Sequence, residues 1–254
     1  LLEASVIGSG IASIAVSKIG NIPVTHNEII NWLEGLYMEK ILTDNISVEI
    51  SKKIRKRLIK MHQKGPHIGP ALSIVDILSV LYFEIMNIKS PSDPDRDRFI
   101  LSKGHSVSAL YNVLAEKGFI HIDKLNEYLL DGSTLTGHPI KQPHYGIEAS
   151  TGSLGHGLSL GIGMAMAAKN DGKNYRVFVL MGDGECQEGS VWEAAMLAPR
   201  LNLDNLTVII DANNLQGYDI VENIQPVSTF KSKWEAFGFN VKEVDGHNNL
   251  EMTS

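Results

Sequence analysis

Hydrophobic and polar positions divide the chain near residue 45, and from Ile46 onward they follow a regular order. Ile50, Ile54, Leu58 and Met61 recur at helical spacing, with Lys52, Lys53, Arg55, Lys56, Arg57 and Lys60 between them, which predicts an amphipathic helix with a solvated basic face. Gly65-Pro66 stops it, and the apolar stretch from Leu72 to Met86 predicts a second, mostly buried helix. Strands are then expected at Arg98–Ser102, Arg176–Met181, Leu206–Asp211 and Asn240–Val244. Helices are expected between them: one carrying Ala109, Leu110, Val113 and Leu114, a small-residue one from Leu154 to Ala168, and others at Ser190–Arg200 and about Lys231–Phe237. The interval Asp131 to Gly152, crowded with glycine, proline and histidine, reads as a long functional loop. Apolar strands alternating with helices predict an α/β fold with a mostly parallel sheet covered by helices on both faces.

Residues 1–45 do not join this pattern and read as an N-terminal appendage of unknown role, with 46–254 as the folded domain. Ile7-Gly8-Ser9-Gly10 is glycine-spaced after a short apolar run, but no second strand or acidic residue follows at the interval a dinucleotide-binding oxidoreductase needs. The chain opens on Leu1 and closes where a helix begins, at Asn248-Asn249-Leu250, so the natural polypeptide is expected to extend past one or both ends.

With 254 residues, 43% hydrophobic and 20% charged, the composition is that of a globular protein. A net charge of −6 disfavours a general nucleic-acid or membrane-surface binder while leaving room for a local phosphate pocket. The single cysteine, Cys186, excludes an intrachain disulfide, and no apolar run spans a bilayer, so a cytoplasmic location is expected.

The chemistry starts where the strand Val177–Met181 runs into Gly182-Asp183-Gly184. In open α/β sheets, ligands sit beyond the carboxyl ends of the strands, and glycines there let backbone approach a phosphate. A carboxylate among phosphates repels them unless a cation lies between, so Asp183 suggests a hard divalent ion such as Mg²⁺, which takes oxygen ligands. A second ligand is expected at the end of a neighbouring strand, where Asn213 and Asn214 follow Asp211 one crossover later. Capping and turn formation would explain Asp183 and Asn213 singly but not as a pair.

Gly182-Asp183-Gly184 followed by Asn213-Asn214 resembles the thiamine diphosphate fingerprint, and the chain from about residue 46 to 254 is similar to the N-terminal half of transketolases. The likeness takes in Gly65 to Ile77, Asp95 to His105, Gly137-His138-Pro139, Glu148 to Gly157, Gly182 to Ala195 and Trp234 to His247, all in family order. It implies the diphosphate-binding (PP) domain, with thiamine diphosphate and Mg²⁺, or another divalent cation such as Ca²⁺ or Mn²⁺, as cofactors. It further implies Asp183, Asn213 and the Leu215 carbonyl as metal ligands, and Gly182, Gly184 and Glu185 around the diphosphate. Gly152, Ser153 and Leu154 match the loop on the aminopyrimidine side, and Glu188 a carboxylate linking the two active sites of a dimer. His67, His105 and His138 fall where the family keeps histidines around cofactor and sugar; proton exchange with sugar hydroxyls suits groups titrating near neutrality. His62, His121, His144 and His247 read as ordinary surface or core residues. Pro66 and His156 depart from the family pattern, beside the first histidine and in the Leu154-Gly155-His156-Gly157 turn.

The implied activity is transfer of a two-carbon ketol unit from a ketose (phosphate) donor to an aldose. The pyrimidine-binding domain, which carries the activating glutamate in the family, is absent from these residues. Either the chain is part of a longer one, or the enzyme is split and a C-terminal transketolase subunit supplies that domain in a homodimer, heterodimer or heterotetramer; the split arrangement is favoured. The alternatives are a deoxyxylulose-phosphate-synthase-like enzyme and a non-catalytic thiamine diphosphate-binding subunit.

Overall fold

The computed structural model describes residues 46–62, 66–217 and 219–253. The expectations for residues 1–45, including Gly8 and Gly10, and the stop at Gly65 lie outside them. Three strands, β1 (Arg98–Leu101), β2 (Val177–Gly182) and β3 (Leu206–Asp211), form a parallel sheet in the order β1-β2-β3. Register runs from Arg98↔Val177 through Leu101↔Leu180 and from Val177↔Leu206 to Gly182↔Asp211. All six residues of β2 are buried, as a central parallel strand covered on both faces requires.

Alternation along the strands builds two cores. Phe99, Leu101, Phe178 and Leu180 face one layer, with helices α1 (Ile46–Met61), α2 (Ile68–Ser73), α3 (Val75–Val80) and α4 (Val107–Glu116). Ile100, Val177, Val179 and Met181 face the other, with α5 (Gly157–Asn170) and α6 (Gly189–Arg200). Small residues on α5 decide how near it lies, because a Cβ on Gly161 would collide with Val179. The short helices α7 (Val221–Ile224), α8 (Phe230–Ala236) and α9 (Asn249–Thr253) close the chain.

Four expectations change. The apolar stretch Leu72–Met86 is two short helices and a π turn, Leu81–Ile85, not one helix; the break at Ile74 follows Ser73, whose hydroxyl donates to Asp211. The small-residue helix starts at Gly157, because Gly155 takes φ +83 in the preceding turn. No strand forms at Asn240–Val244, where no described residue hydrogen-bonds to it as a ladder partner. Finally, α1 is not uniformly solvated on its basic face: Arg55 is buried against Asp76, and Arg57 reaches Glu116 and Asn112 from α4.

Candidate active site

The carboxyl ends of β2 and β3 bring Asp183 and Asn213 to the same edge of the sheet. Gly182 pairs with Asp211, and the Asp183 N–H donates to the Asp211 carbonyl at 3.2 Å. Asp183 is buried, and its two carboxylate oxygens accept from the Gly184 N–H and the Asn214 N–H, each at 2.7 Å. Among the described residues no cationic side chain forms an ion pair with it. Burial therefore pushes its pKa up to about 6, against the two backbone donors. Asn213 Oδ1 accepts from the Leu215 N–H at 3.0 Å, which brings Leu215 into the same turn.

Gly184 is a close-approach position, since an added Cβ would stand 2.8 Å from Gln216 Oε1. Gln216 Nε2 beside it is a buried donor with no partner among the described residues. A buried orphan amide and a glycine backbone next to a cation-less carboxylate fit an anionic group held through a metal ion. No group of three His, Cys, Asp or Glu side chains stands ready to hold a metal among the described residues, so carbonyl, amide and ligand oxygens would have to complete its shell. Glu185 sits differently: its buried carboxylate accepts from the Ser102 hydroxyl, the Gly155 N–H at 2.9 Å and the Gly182 N–H at 3.1 Å. It ties three loops together within the fold.

Three histidines converge from three loops. His67 adopts a left-handed conformation, φ 66 and ψ 31, where α2 begins, and its ring centroid lies 5.4 Å from His105 and 6.1 Å from His138. The loops are packed so closely that only glycine fits between them. A Cβ on Gly152, at φ +148, would meet His138 Cδ2 at 2.9 Å, and one on Gly104 would meet the Gly152 nitrogen at 2.9 Å. Thr151 fastens the loops by donating its hydroxyl to the Leu101 carbonyl at 2.6 Å and its N–H to the Pro139 carbonyl at 3.2 Å. Burial, then the charge of Lys103, then His67 and His138 push His105 down to about 3, and burial and His138 lower His67. These two rings are neutral near pH 7, hydrogen-bonding groups rather than cations. The expectation of titration near neutrality fails for His105, because it shares a desolvated loop with a lysine. Ser153 is exposed and Leu154 half-buried in the adjoining turn, and Glu188 is exposed at the start of α6.

Several polar residues beneath the site escaped the sequence pattern. Asp211 is buried and accepts from Lys103, from the Ser73 hydroxyl at 2.7 Å and from Asn213 Nδ2 at 3.1 Å. Lys103, 1% exposed, is the cation for that carboxylate. His247, read from sequence as an ordinary residue, places Nδ1 2.5 Å from Asp76 Oδ2 and feels the Asp211 charge. The signal for Asp211 was present: it ends an apolar strand, as the residue before Asp183 does. The stretches Gly65 to Ile77 and Trp234 to His247 contain Asp76 and His247, but nothing local gave either residue a role, since their partners lie far away in sequence.

A family described as "Transketolase, thiamine diphosphate binding domain" matches residues 47–254. The chain is 49% identical over 204 residues to an apulose-4-phosphate transketolase subunit from Phocaeicola vulgatus, covering 77% of this chain and 71% of that one. It is 42% identical over 190 residues to a 6-deoxy-6-sulfo-D-fructose transketolase subunit of Clostridium sp., covering 74% and 69%. Among solved structures, transketolase from Campylobacter jejuni superposes with a TM-score of 0.73 at 30% identity over 84% of this chain, which spans 35% of that longer one.

Proposed function

The chain belongs to the transketolase family and carries its thiamine diphosphate-binding domain, and from that premise we propose that it is the N-terminal subunit of a split, Mg²⁺-dependent, cytoplasmic transketolase. A separate C-terminal subunit would supply the pyrimidine-binding domain, and an anionic ketose, phosphorylated or similarly substituted, would be the donor. The observation that carries this reading is that Asp183 and Asn213 lie just past the carboxyl ends of adjacent parallel strands, one crossover apart, on a domain where three imidazoles converge. That two relatives are named as transketolase subunits supports the division into two polypeptides.

In this reading Asp183, Asn213 and the Leu215 carbonyl would hold the metal, and the close approach allowed at Gly184 and the Gln216 amide would receive the diphosphate. When bound, thiamine diphosphate supplies the nucleophilic carbon and the electron sink for ketol transfer. The protein positions and exchanges protons. His67, His105 and His138 give and accept hydrogen bonds at sugar hydroxyls. Gly152, Ser153 and Leu154 line the aminopyrimidine side, Gly182 and Glu185 shape the diphosphate loop, and Glu188 faces the subunit boundary.

The test is calorimetric titration of thiamine diphosphate into the purified chain with and without Mg²⁺, repeated with the partner subunit, alongside a ketol-transfer assay. Binding that requires Mg²⁺ and tightens with the partner, with turnover only in the mixture, is the expected result. Turnover by the chain alone overturns the split arrangement, and absence of binding under every condition overturns the cofactor reading.

A further inference from the structure

His138 belongs to no helix or strand, and it is exposed. Among the described residues no hydrogen bond holds either nitrogen of its ring, so the ring is placed through the main chain beneath it and the walls around it. The Thr136 hydroxyl donates to the His138 carbonyl at 2.6 Å and closes a tight turn about Gly137. The Thr136 carbonyl in turn accepts from the Tyr111 hydroxyl at 3.2 Å, and Tyr111 is fully buried in the core helix α4. Leu129 packs on the same turn. It holds the left-handed conformation, φ 62, that a bulky side chain seldom takes, and its N–H donates to the Leu135 carbonyl at 3.0 Å. An added Cβ on Gly137 would stand 3.3 Å from Leu129 Cδ2, so the leucine fills the space against that glycine.

An imidazole without a hydrogen bond of its own is held to a fraction of an ångström only when its backbone is fixed, and a misplacement of about 1 Å costs a catalytic group about 100-fold. The bond from Thr136 orients the peptide plane that follows His138, and with it the direction in which the ring leaves the chain. The bond from Tyr111 refers that turn to a helix of the core, where local opening is rarest. Tyr111 stays a donor near neutral pH, since burial pushes its pKa up to about 12. The result is a ring 6.1 Å from that of His67 and packed against Gly152, where there is no room for a side chain.

We propose that Thr136 and Tyr111 are positioning residues for His138, the first setting its backbone through the hydroxyl and the second anchoring that turn to α4. The use of the imidazole at a sugar hydroxyl rests on the transketolase reading of the site; the clasp rests on the contacts alone.

Two measurements separate these parts. In histidine-¹³C-labelled chain, Thr136→Val is expected to shift or broaden the His138 ring resonance while those of His105 and His247 stay in place, and Thr136→Ser to restore it. An unmoved His138 resonance in folded Thr136→Val overturns the positioning role. In the two-subunit enzyme with a ketose phosphate donor, Thr136→Val is expected to lower kcat/KM about tenfold, a fraction of the full cost of misplacement, and Thr136→Ser to return it to within about threefold of wild type. Tyr111→Phe should act in the same direction and more weakly, and it carries both measurements should Thr136→Val not fold. Thr136→Val combined with His138→Gln should be no worse than His138→Gln alone, because the hydroxyl acts through the ring. Additive losses, or a serine that rescues nothing, overturn the proposal. A wild-type complex inert toward ketose donors would overturn the reading of the site, while the resonances continue to decide the clasp.

Discussion

Two buried aspartates stand at opposite ends of the same sheet and have been given opposite surroundings. Asp97, just before β1, accepts from the Asn87 N–H at 2.9 Å, the Arg176 N–H at 2.7 Å and the Arg176 guanidinium at 2.7 and 3.2 Å. Asp183, just after β2, accepts two backbone N–H groups and has no side-chain cation in contact among the described residues. Each is 3% exposed. A buried carboxylate that carries its own cation is a finished structural joint, whereas one left without a cation is costly unless something else supplies the charge. The amino end of the sheet is thus closed by ion pairs within the chain, and the carboxyl end is built around a charge that the described residues do not balance.

The largest effect separating the two is expected in ligand binding. Asp183→Ala should abolish Mg²⁺-dependent binding of thiamine diphosphate, a loss of at least about 100-fold, or roughly 3 kcal/mol. Asp97→Ala, where it remains folded, should bind within about threefold of wild type. Titration calorimetry on both variants checks this, and equal losses would erase the distinction between a joint and a site.

Stability should reverse the order. Removing Asp97 orphans two backbone donors and a half-exposed guanidinium and is expected to cost about 2 to 4 kcal/mol. Removing Asp183 also orphans two backbone donors but deletes an unmatched buried charge, so the urea midpoint should fall less than it does for Asp97→Ala. A smaller effect is expected next to Asp183. Gly184→Ala would press its Cβ on the end of the Gln216 side chain, which can move, so the fold should survive while the affinity for thiamine diphosphate drops about tenfold, about 1.4 kcal/mol. A loss of stability in that variant would mean that Gly184 serves the fold and not the approach of a ligand.

The same contrast accounts for what could be seen in the sequence. The layers of the fold were legible because β-branched and aromatic residues alternate with helical periods, and β3 was predicted at Leu206–Asp211 to the residue. Asp183 and Asn213 were legible because glycine and asparagine at strand ends depart from the apolar pattern around them. The Arg55–Asp76 pair was not, since Arg55 lies in a lysine-rich helix and looks like one more solvated charge until α3 is packed against it. His247 was hidden for the same reason, its partner Asp76 lying in a helix near the other end of the domain. The Asn240–Val244 segment misled in the other direction: its residues suit a strand, but a strand needs a neighbour as well as a propensity.

Acid provides the subtlest way to tell the two ends apart. His105 and His247 are lowered to about 3 and about 4, chiefly by burial, from an ordinary value of 6.5. Below pH 6.5 the unfolded chain takes up these protons while the folded chain does not, so stability falls as the pH drops through that window. At pH 5.5 the loss is about 1 kcal/mol for each ring. Asp183 acts with the opposite sign. Its pKa is raised to about 6 from 3.8, so the folded chain binds the proton first and regains slightly less than one histidine removes. Urea midpoints at pH 7.5 and 5.5 should therefore show a net loss of about 1 to 2 kcal/mol in wild type. His105→Gln should flatten the slope and Asp183→Ala should steepen it. A slope unchanged in both variants would remove the acid response from the carboxyl end of the sheet.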